Sequence, residues 1–478
     1  MELIKNYING KWVETDDKRP NINPSNTKEI LNEVCLLSQK QAADCISTSV
    51  AGQKHWLEIG IEQRSDILKK IGDQLMKKAL KIGEALAKEE GKTVAEGKAE
   101  VYRSGQFFHY YAAECLRQMG DYTKSVRQGV DIIVEREPMG VVGVITPWNF
   151  PIAVASWKVA PALCYGNSVI LKPATLTPHS AYLLAEIIDK AGLPNGVFNL
   201  VYGNGNTIGH TIASSPNVNA ITFTGSYKVG QQIIADAHKN MTKCQFEMGS
   251  KNALLISEDA DLETAVNCAI AGGFTGTGQK CTASSRIVVE SKIYNQFKEV
   301  FVRKTKSLIV GSSTDSDTQI GPLSSESQLK TVINYLEEAK KDGATVLCGG
   351  ETLKRNTPGF YFSPCVLGDT TNDMKINREE VFGPLVSLIK VDSFEEGIEI
   401  VNDTPYGLVS GVVTKSLSKA MTFRKKVNTG CVSINLPTAG TDYHVPFGGM
   451  KASSFGSREQ GTYAKEFYTQ VKTTYLNA

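Results

Sequence analysis

Apolar positions along this chain follow two alternating patterns. Val141-Val142-Gly143-Val144-Ile145, Ser168-Val169-Ile170-Leu171, Val197-Phe198-Asn199-Leu200-Val201 and Ala220-Ile221-Thr222-Phe223 are short apolar runs without polar alternation. Such runs read as strands buried on both faces. Between them, residues 157–165 and 180–191 place apolar side chains at helical spacing, and Gly192 closes the second stretch. Helices between buried strands predict a parallel α/β sheet with crossover connections.

The alternation then repeats. Strands are expected over 252–256, 286–289, 386–391 and 409–413, with helices over 262–271, 328–341 and 394–401. Two α/β lobes meeting near Gly249 account for this pattern, and 478 residues exceed what one hydrophobic core usually holds. Residues 19–24 and 355–358 read as surface loops. Residues 130–136 and 469–476 are rich in β formers and stand outside the alternation, so they read as arms that pair beyond the main sheets and favour chain–chain association.

Composition excludes more than it selects. A net charge of +2, with no basic run interleaved with aromatics, argues against a nucleic-acid partner or an acidic membrane surface. Ten cysteines without CxxC spacing read as reduced thiols of a cytoplasmic protein, and six scattered histidines give no zinc pattern. The first residues lack an apolar core of signal-peptide length. Residues 139–171 carry Lys158 as their only charge, yet Pro147, Pro151 and Pro161 mark them as buried strands and a turn, not a membrane span.

Candidate chemistry centres on Cys281. It follows Gly276 and Gly278 among small residues that leave its sulfur reachable, and Lys280 and Arg286 are expected to favour the thiolate. Glu247, between Phe246 and Met248, is placed for base work near neutrality, because apolar neighbours raise a carboxyl pKa; a salt-bridged strand-end glutamate is the plain alternative. Asn149, fenced by Pro147 and Pro151, offers a fixed oxyanion donor, or merely caps a turn. Gly225 and Ser226 end a strand and open a helix, where free N–H groups suit a phosphate. The glycine run 202–209 is one residue too long for a dinucleotide fingerprint. Lys172 ends a strand where α/β sheets bind ligands.

These residues stand in ordered blocks that resemble the NAD(P)-dependent aldehyde dehydrogenase family along nearly the whole chain. The blocks are Pro147-Trp148-Asn149-Phe150-Pro151, 157–163, Leu171-Lys172-Pro173, Phe223-Thr224-Gly225-Ser226, Glu247-Met248-Gly249, Gly278-Gln279-Lys280-Cys281, 380–384 and Pro446-Phe447-Gly448-Gly449. The resemblance implies a Rossmann-like cofactor domain over 1–119 and 140–249, an α/β catalytic domain over 250–459, and a small β oligomerisation arm over 120–139 and 460–478. It implies that Cys281 attacks the aldehyde, that Asn149 and the Cys281 N–H hold the oxyanion, and that Glu247 activates water against the thioester. Lys158 is implied in proton relay. Thr146, Pro147, Trp148, Lys172, Thr175, Gly225, Ser226, Gly230, Glu380 and Phe382 would contact the cofactor, and homodimers or homotetramers are expected.

Two departures from the family pattern bear on function. Ser250 stands where a second glycine is usual, which predicts strain or a shifted rim beside the base. Thr175 stands where many NAD-linked members carry a glutamate; without that carboxylate a 2′-phosphate is not repelled, so NADP is favoured, with NAD also accepted. The runs 441–449, 457–461 and 277–283 look like the branch acting on 2-oxoglutarate semialdehyde (2,5-dioxopentanoate). Phe150, Trp157, Tyr443 and Phe447 would line the substrate path, and Arg103, on a helix with Phe107 and Tyr111, is the candidate for the substrate carboxylate; Arg458 is a weaker one. Succinate semialdehyde, a broad range of aldehydes, transfer of the acyl group to coenzyme A, and a non-catalytic relative are the alternatives; the last would lack Cys281 or Glu247.

Overall fold

In the computed structural model, which describes residues 2–117 and 119–477, the unbroken apolar runs form the centre of an eight-stranded sheet. Met1, Gln118 and Ala478, included in the expected segments, lie outside the described residues. The strand order is Ser454–Phe455, Lys243–Glu247, Ala220–Thr224, Val141–Ile145, Ser168–Lys172, Phe198–Leu200, Asn6–Ile8 and Lys11–Val13. The strands from Lys243–Glu247 to Phe198–Leu200 pair in parallel, and antiparallel strands flank them on both sides.

A seven-stranded sheet follows in the order Thr345–Cys348, Cys365–Gly368, Leu385–Val391, Arg286–Glu290, Ala253–Ile256, Val409–Val413 and Cys431–Ile434. It is parallel apart from its first strand. Each sheet has its own apolar core, with Val142, Val144, Val169 and Leu171 in one and Leu254, Ile256, Ile287 and Val289 in the other. The two β-rich arms pair with each other: Thr469–Asn477 runs antiparallel to Val130–Pro138, which also pairs with Gly120–Lys124. Among the described residues no helix is long and apolar enough to cross a membrane.

The helix Ala153–Cys164 is buried on every side, which its apolar composition demands. It begins four residues before the expected start at 157, because Glu100 of a distant helix accepts the N–H groups of Ile152 (3.0 Å) and Ala153 (3.1 Å). The segment expected as a loop at 19–24 is instead largely strand, Lys18–Asn23, paired antiparallel with Asn26–Cys35. Its polar residues concealed it. Asn21 is buried and donates to Asn32 (3.0 Å) and to Glu89 (2.8 Å), so a loop-like composition is satisfied inside the protein. Residues 355–358 do lack helix and strand.

Glu89 links the N-terminal block to the main sheet. Besides Asn21, its carboxylate accepts the backbone N–H groups of His179 (2.6 Å) and Ser180 (2.9 Å) and the Ser180 hydroxyl (2.6 Å). These N–H groups open the helix Pro178–Asp189, whose N-terminus has no side-chain cap of its own. A carboxylate borrowed from elsewhere meets both the orphan donors and the helix dipole. Glu89→Ala should therefore destabilise the protein by roughly 2–4 kcal/mol, since it orphans several buried donors; urea unfolding monitored by circular dichroism measures this.

Candidate active site

The two sheets meet at a cleft with a cavity of about 270 Å³. Cys281, Glu247, Asn149 and Glu380 all face it, with Phe382 and Trp148 on the wall. Residues separated by more than a hundred positions thus share one volume. Pro147, Phe150, Trp157, Gly225, Ser226 and Phe447 also line it.

Cys281 is carried on a turn after the helix Leu262–Phe274. Thr277 and Gly278 both have left-handed backbone there, with φ of 56° and 67°. A Cβ on Gly278 would come within 2.3 Å of the Gly383 carbonyl oxygen, so only glycine lets this turn pack against the 380–384 loop. The Cys281 and Ala283 carbonyls accept from Asn252 Nδ2 at 2.7 and 3.0 Å. Ser250 feeds the same network, since its hydroxyl donates to Asn252 Oδ1. The strain expected at Ser250 is absent: its φ is not positive, and its N–H donates to Glu380 Oε1 at 2.8 Å. The glycine before it is the one that matters, since a Cβ on Gly249 would meet the Glu380 carboxylate at 2.6 Å.

The expectation that Lys280 and Arg286 favour a thiolate fails. Lys280 donates to the Ala271 carbonyl (3.1 Å) and the Thr275 hydroxyl (2.5 Å). Arg286 is buried and binds the Lys251, Ile400 and Val401 carbonyls and Asn372. Burial, followed by the carboxylates of Glu380 and Glu247, pushes the Cys281 thiol up to about 12. The thiol therefore needs a base.

Glu247 faces the same cavity. It ends the strand Lys243–Glu247 and is 3% exposed. Its Oε2 accepts from the Ser454 hydroxyl at 2.6 Å, while Oε1 has no partner. Burial, then the Glu459 carboxylate, raises its pKa to about 8. Ser454 belongs to the two-residue strand that the chain's C-terminal part adds beside Lys243–Glu247, a contact the sequence reading missed. Behind it, Lys158 is fully buried, donates to the Thr222 hydroxyl at 2.7 Å and is ion-paired with Glu459. Lys158 does not line the cavity. Glu459 was missed because its pairing spans 301 positions.

Asn149 Nδ2 donates to the Gln279 carbonyl at 2.9 Å. An amide nitrogen carries two hydrogens, so one donor remains for the cleft. The loop is held from behind: Lys92 Nζ donates to the Asn149 carbonyl (2.6 Å) and to Glu100 (2.6 Å) and sits 4.1 Å over the Phe150 ring. Phe382, with φ of 60°, packs edge-on against Trp148 at 5.4 Å. Gln328, also missed, pins that turn by donating to the Val381 and Phe382 carbonyls, each at 2.9 Å.

The remaining cofactor candidates gather at the carboxyl ends of the first sheet's strands. Ser226 caps the helix Tyr227–Ala237, leaving N–H groups for an anion, and the Thr224 and Thr146 hydroxyls are buried without partners. This donor set fits a dinucleotide's phosphates and hydroxyls. Gly230 lies against Met248, where a Cβ would approach the sulfur to 2.5 Å. Lys172 ends the strand Ser168–Lys172 and Thr175 follows it, both outside the cavity. On the other side Trp157 packs against Phe447 (5.7 Å) and Phe107 (6.0 Å), with Tyr443 against the same cluster. The Arg103 guanidinium lies 5.4 Å over the Tyr443 ring and 4.0 Å from Asp442. Arg458 donates to the Gly449 carbonyl.

The aldehyde dehydrogenase family profile matches residues 12–474. The alpha-ketoglutaric semialdehyde dehydrogenase of Bacillus subtilis (strain 168) is 40% identical over 475 residues, covering 98% of this chain and 97% of the relative. The 2,5-dioxopentanoate dehydrogenase of Saccharolobus solfataricus is 36% identical over 478 residues, covering 99% of each. Among solved structures, betaine aldehyde dehydrogenase from Staphylococcus aureus in complex with NAD+ superposes with a TM-score of 0.97 at 32% identity, covering 99% of this chain and 95% of that one.

With burial holding the Cys281 thiol up to about 12, its alkylation by iodoacetamide, without added cofactor, should accelerate about tenfold per pH unit between pH 7 and 9, following the thiolate fraction. A rate that levels off below pH 8 would reveal a thiolate-stabilising partner; peptide mapping of the labelled protein identifies the modified cysteine.

Proposed function

The chain belongs to the aldehyde dehydrogenase family, and we propose that within it the protein oxidises 2-oxoglutarate semialdehyde (2,5-dioxopentanoate) to the dicarboxylic acid, with NAD or NADP as acceptor. The observation carrying the chemistry is the convergence of Cys281, Glu247 and Asn149 on one cavity. The substrate reading is supported by the similarity to relatives named for that aldehyde.

The side chains divide the reaction between them. Glu247 takes the thiol proton as the Cys281 sulfur bonds to the aldehyde carbon. The remaining Asn149 N–H and the Cys281 backbone N–H stabilise the alkoxide that forms, as preorganised donors in a water-poor site. A nicotinamide, when bound, would supply the acceptor for the former aldehyde hydrogen and its electron pair, so that Cys281 is left carrying a thioester. Glu380 and Phe382 would hold its ribose and ring. Glu247 releases the thiol proton to solvent, and its Oε1, free of protein partners, then takes a proton from a water molecule as the water oxygen attacks the thioester and the thiolate departs. Lys158, Thr222 and Glu459 form a buried chain behind the base that suits it to pass that proton on.

Arg103 does not line the cavity but reaches the apolar cluster of Trp157 and Phe107 through the Tyr443 ring. Its resting partner Asp442 is 4.0 Å away and exposed, a weak pairing that a substrate carboxylate replaces at little cost. The exposed apolar residues Tyr122, Ile133, Val471 and Tyr475 of the arm sheet support a homodimer or homotetramer. Ten free cysteines support a cytoplasmic location.

Base work by Glu247 makes two predictions. Glu247→Gln should lose the fast first release of reduced cofactor as well as steady turnover, because the thiol and the water both lack their base, whereas undiminished turnover would take Glu247 out of both steps; stopped-flow absorbance decides. In the wild type Glu247 is protonated below about 8 and cannot accept a proton, so steady-state activity should climb as pH rises through that value. For Arg103→Ala, kcat/KM should fall about tenfold or more with 2-oxoglutarate semialdehyde and little with an uncharged aldehyde such as butanal, in a steady-state comparison.

A further inference from the structure

The strand Ser168–Lys172 lies next to Val141–Ile145, which in turn pairs with the strand leading to the Gly225–Ser226 turn. In parallel dinucleotide-binding sheets, a strand end beside the phosphate turn receives the adenosine ribose. A carboxylate there grips the ribose hydroxyls, and an arginine there accommodates a 2′-phosphate.

Here that strand end holds cations and no carboxylate. Lys172 is buried at 6% exposure, and its ammonium makes one hydrogen bond, to the Pro173 carbonyl at 3.3 Å. Burial alone lowers its pKa to about 8; no neighbouring acid offsets it. Thr175 Oγ1 accepts from Arg19 Nη1 at 3.4 Å. Arg19 arrives from the strand Lys18–Asn23, the segment whose composition resembled a loop. Neither Arg19 nor Lys172 has an ion pair among the described residues. A solvent-exposed guanidinium held by one long hydrogen bond is free to present its planar fork to a phosphate monoester.

We propose that Arg19, acting with Lys172 and Thr175, is the residue that recognises the 2′-phosphate of NADP and sets the preference for it over NAD. The inference rests on the reading that a nicotinamide dinucleotide lies across these strand ends. The charge needed for this selectivity comes from the N-terminal strand, not from the cofactor-binding strands themselves.

Calorimetric titration of the full-length protein with 2′,5′-ADP and with 5′-AMP tests it without turnover. The wild type should bind 2′,5′-ADP about tenfold or more tightly than 5′-AMP, as a charge-assisted contact provides. Arg19→Gln should bring that ratio close to one, Arg19→Lys should keep part of it, and Thr175→Glu should push it below one. Arg19 is exposed, so the variants are expected to melt with the wild type, which circular dichroism verifies. A wild-type ratio near one, or a ratio unchanged in Arg19→Gln or Thr175→Glu, overturns the inference while leaving the dehydrogenase reading intact. Failure of both nucleotides to bind overturns the inference and the dinucleotide reading together.

Discussion

Desolvation is the constraint on which the cleft depends. Glu247, Cys281 and Glu380 are taken out of water, and burial outweighs the nearby cations, so each is held nearer its neutral form than it would be in solvent. A carboxyl raised to about 8 is a stronger base than one in solvent, which reduces the uphill cost of taking a proton from a thiol raised to about 12. The same burial that makes the sulfur inert at rest makes the glutamate a stronger base. Reactivity then resides in the pair, as long as both face one cavity.

Keeping them there falls to backbone that other residues could not adopt. Cys281 depends on a left-handed turn whose glycine touches the Gly383 carbonyl, and Glu380 depends on the bare face of Gly249. Polar struts then fix the loops: Asn252 holds the nucleophile turn, Gln328 the Phe382 turn, and Lys92 with Glu100 the Asn149 loop. Most of these struts end on backbone carbonyls or N–H groups, so they set where the chain runs without imposing a side-chain identity on the loop they hold.

The two lobes are not independent suppliers. The first sheet provides Glu247, Asn149 and the phosphate turn from its strand ends. The second lobe provides Cys281 and Glu380, and the C-terminal part returns as a short strand bringing Ser454 and Glu459 to the base. The N-terminal block reaches the same sheet through Glu89 and Arg19. The site is complete only when all of these have docked.

By itself the sequence determined the α/β alternation, because unbroken apolar runs can be buried only as central strands, and it marked Cys281, Glu247 and Asn149 through ordered local blocks. It pointed to Thr175 for the same reason: a missing carboxylate is visible in one line of text. Tertiary structure alone decided what those residues meet. Lys280 and Arg286 are close to Cys281 in sequence, yet their charges are spent on carbonyls facing elsewhere. Ser454, Glu459, Gln328 and Arg19 are remote in sequence yet sit against the residues they serve. Local composition also misread 19–24, since buried asparagines with partners look like exposed ones until the partners are placed. The physical reason is common to all of these: periodicity reports which face of a segment avoids water, whereas ion pairs and hydrogen bonds between distant segments exist only after those faces have packed.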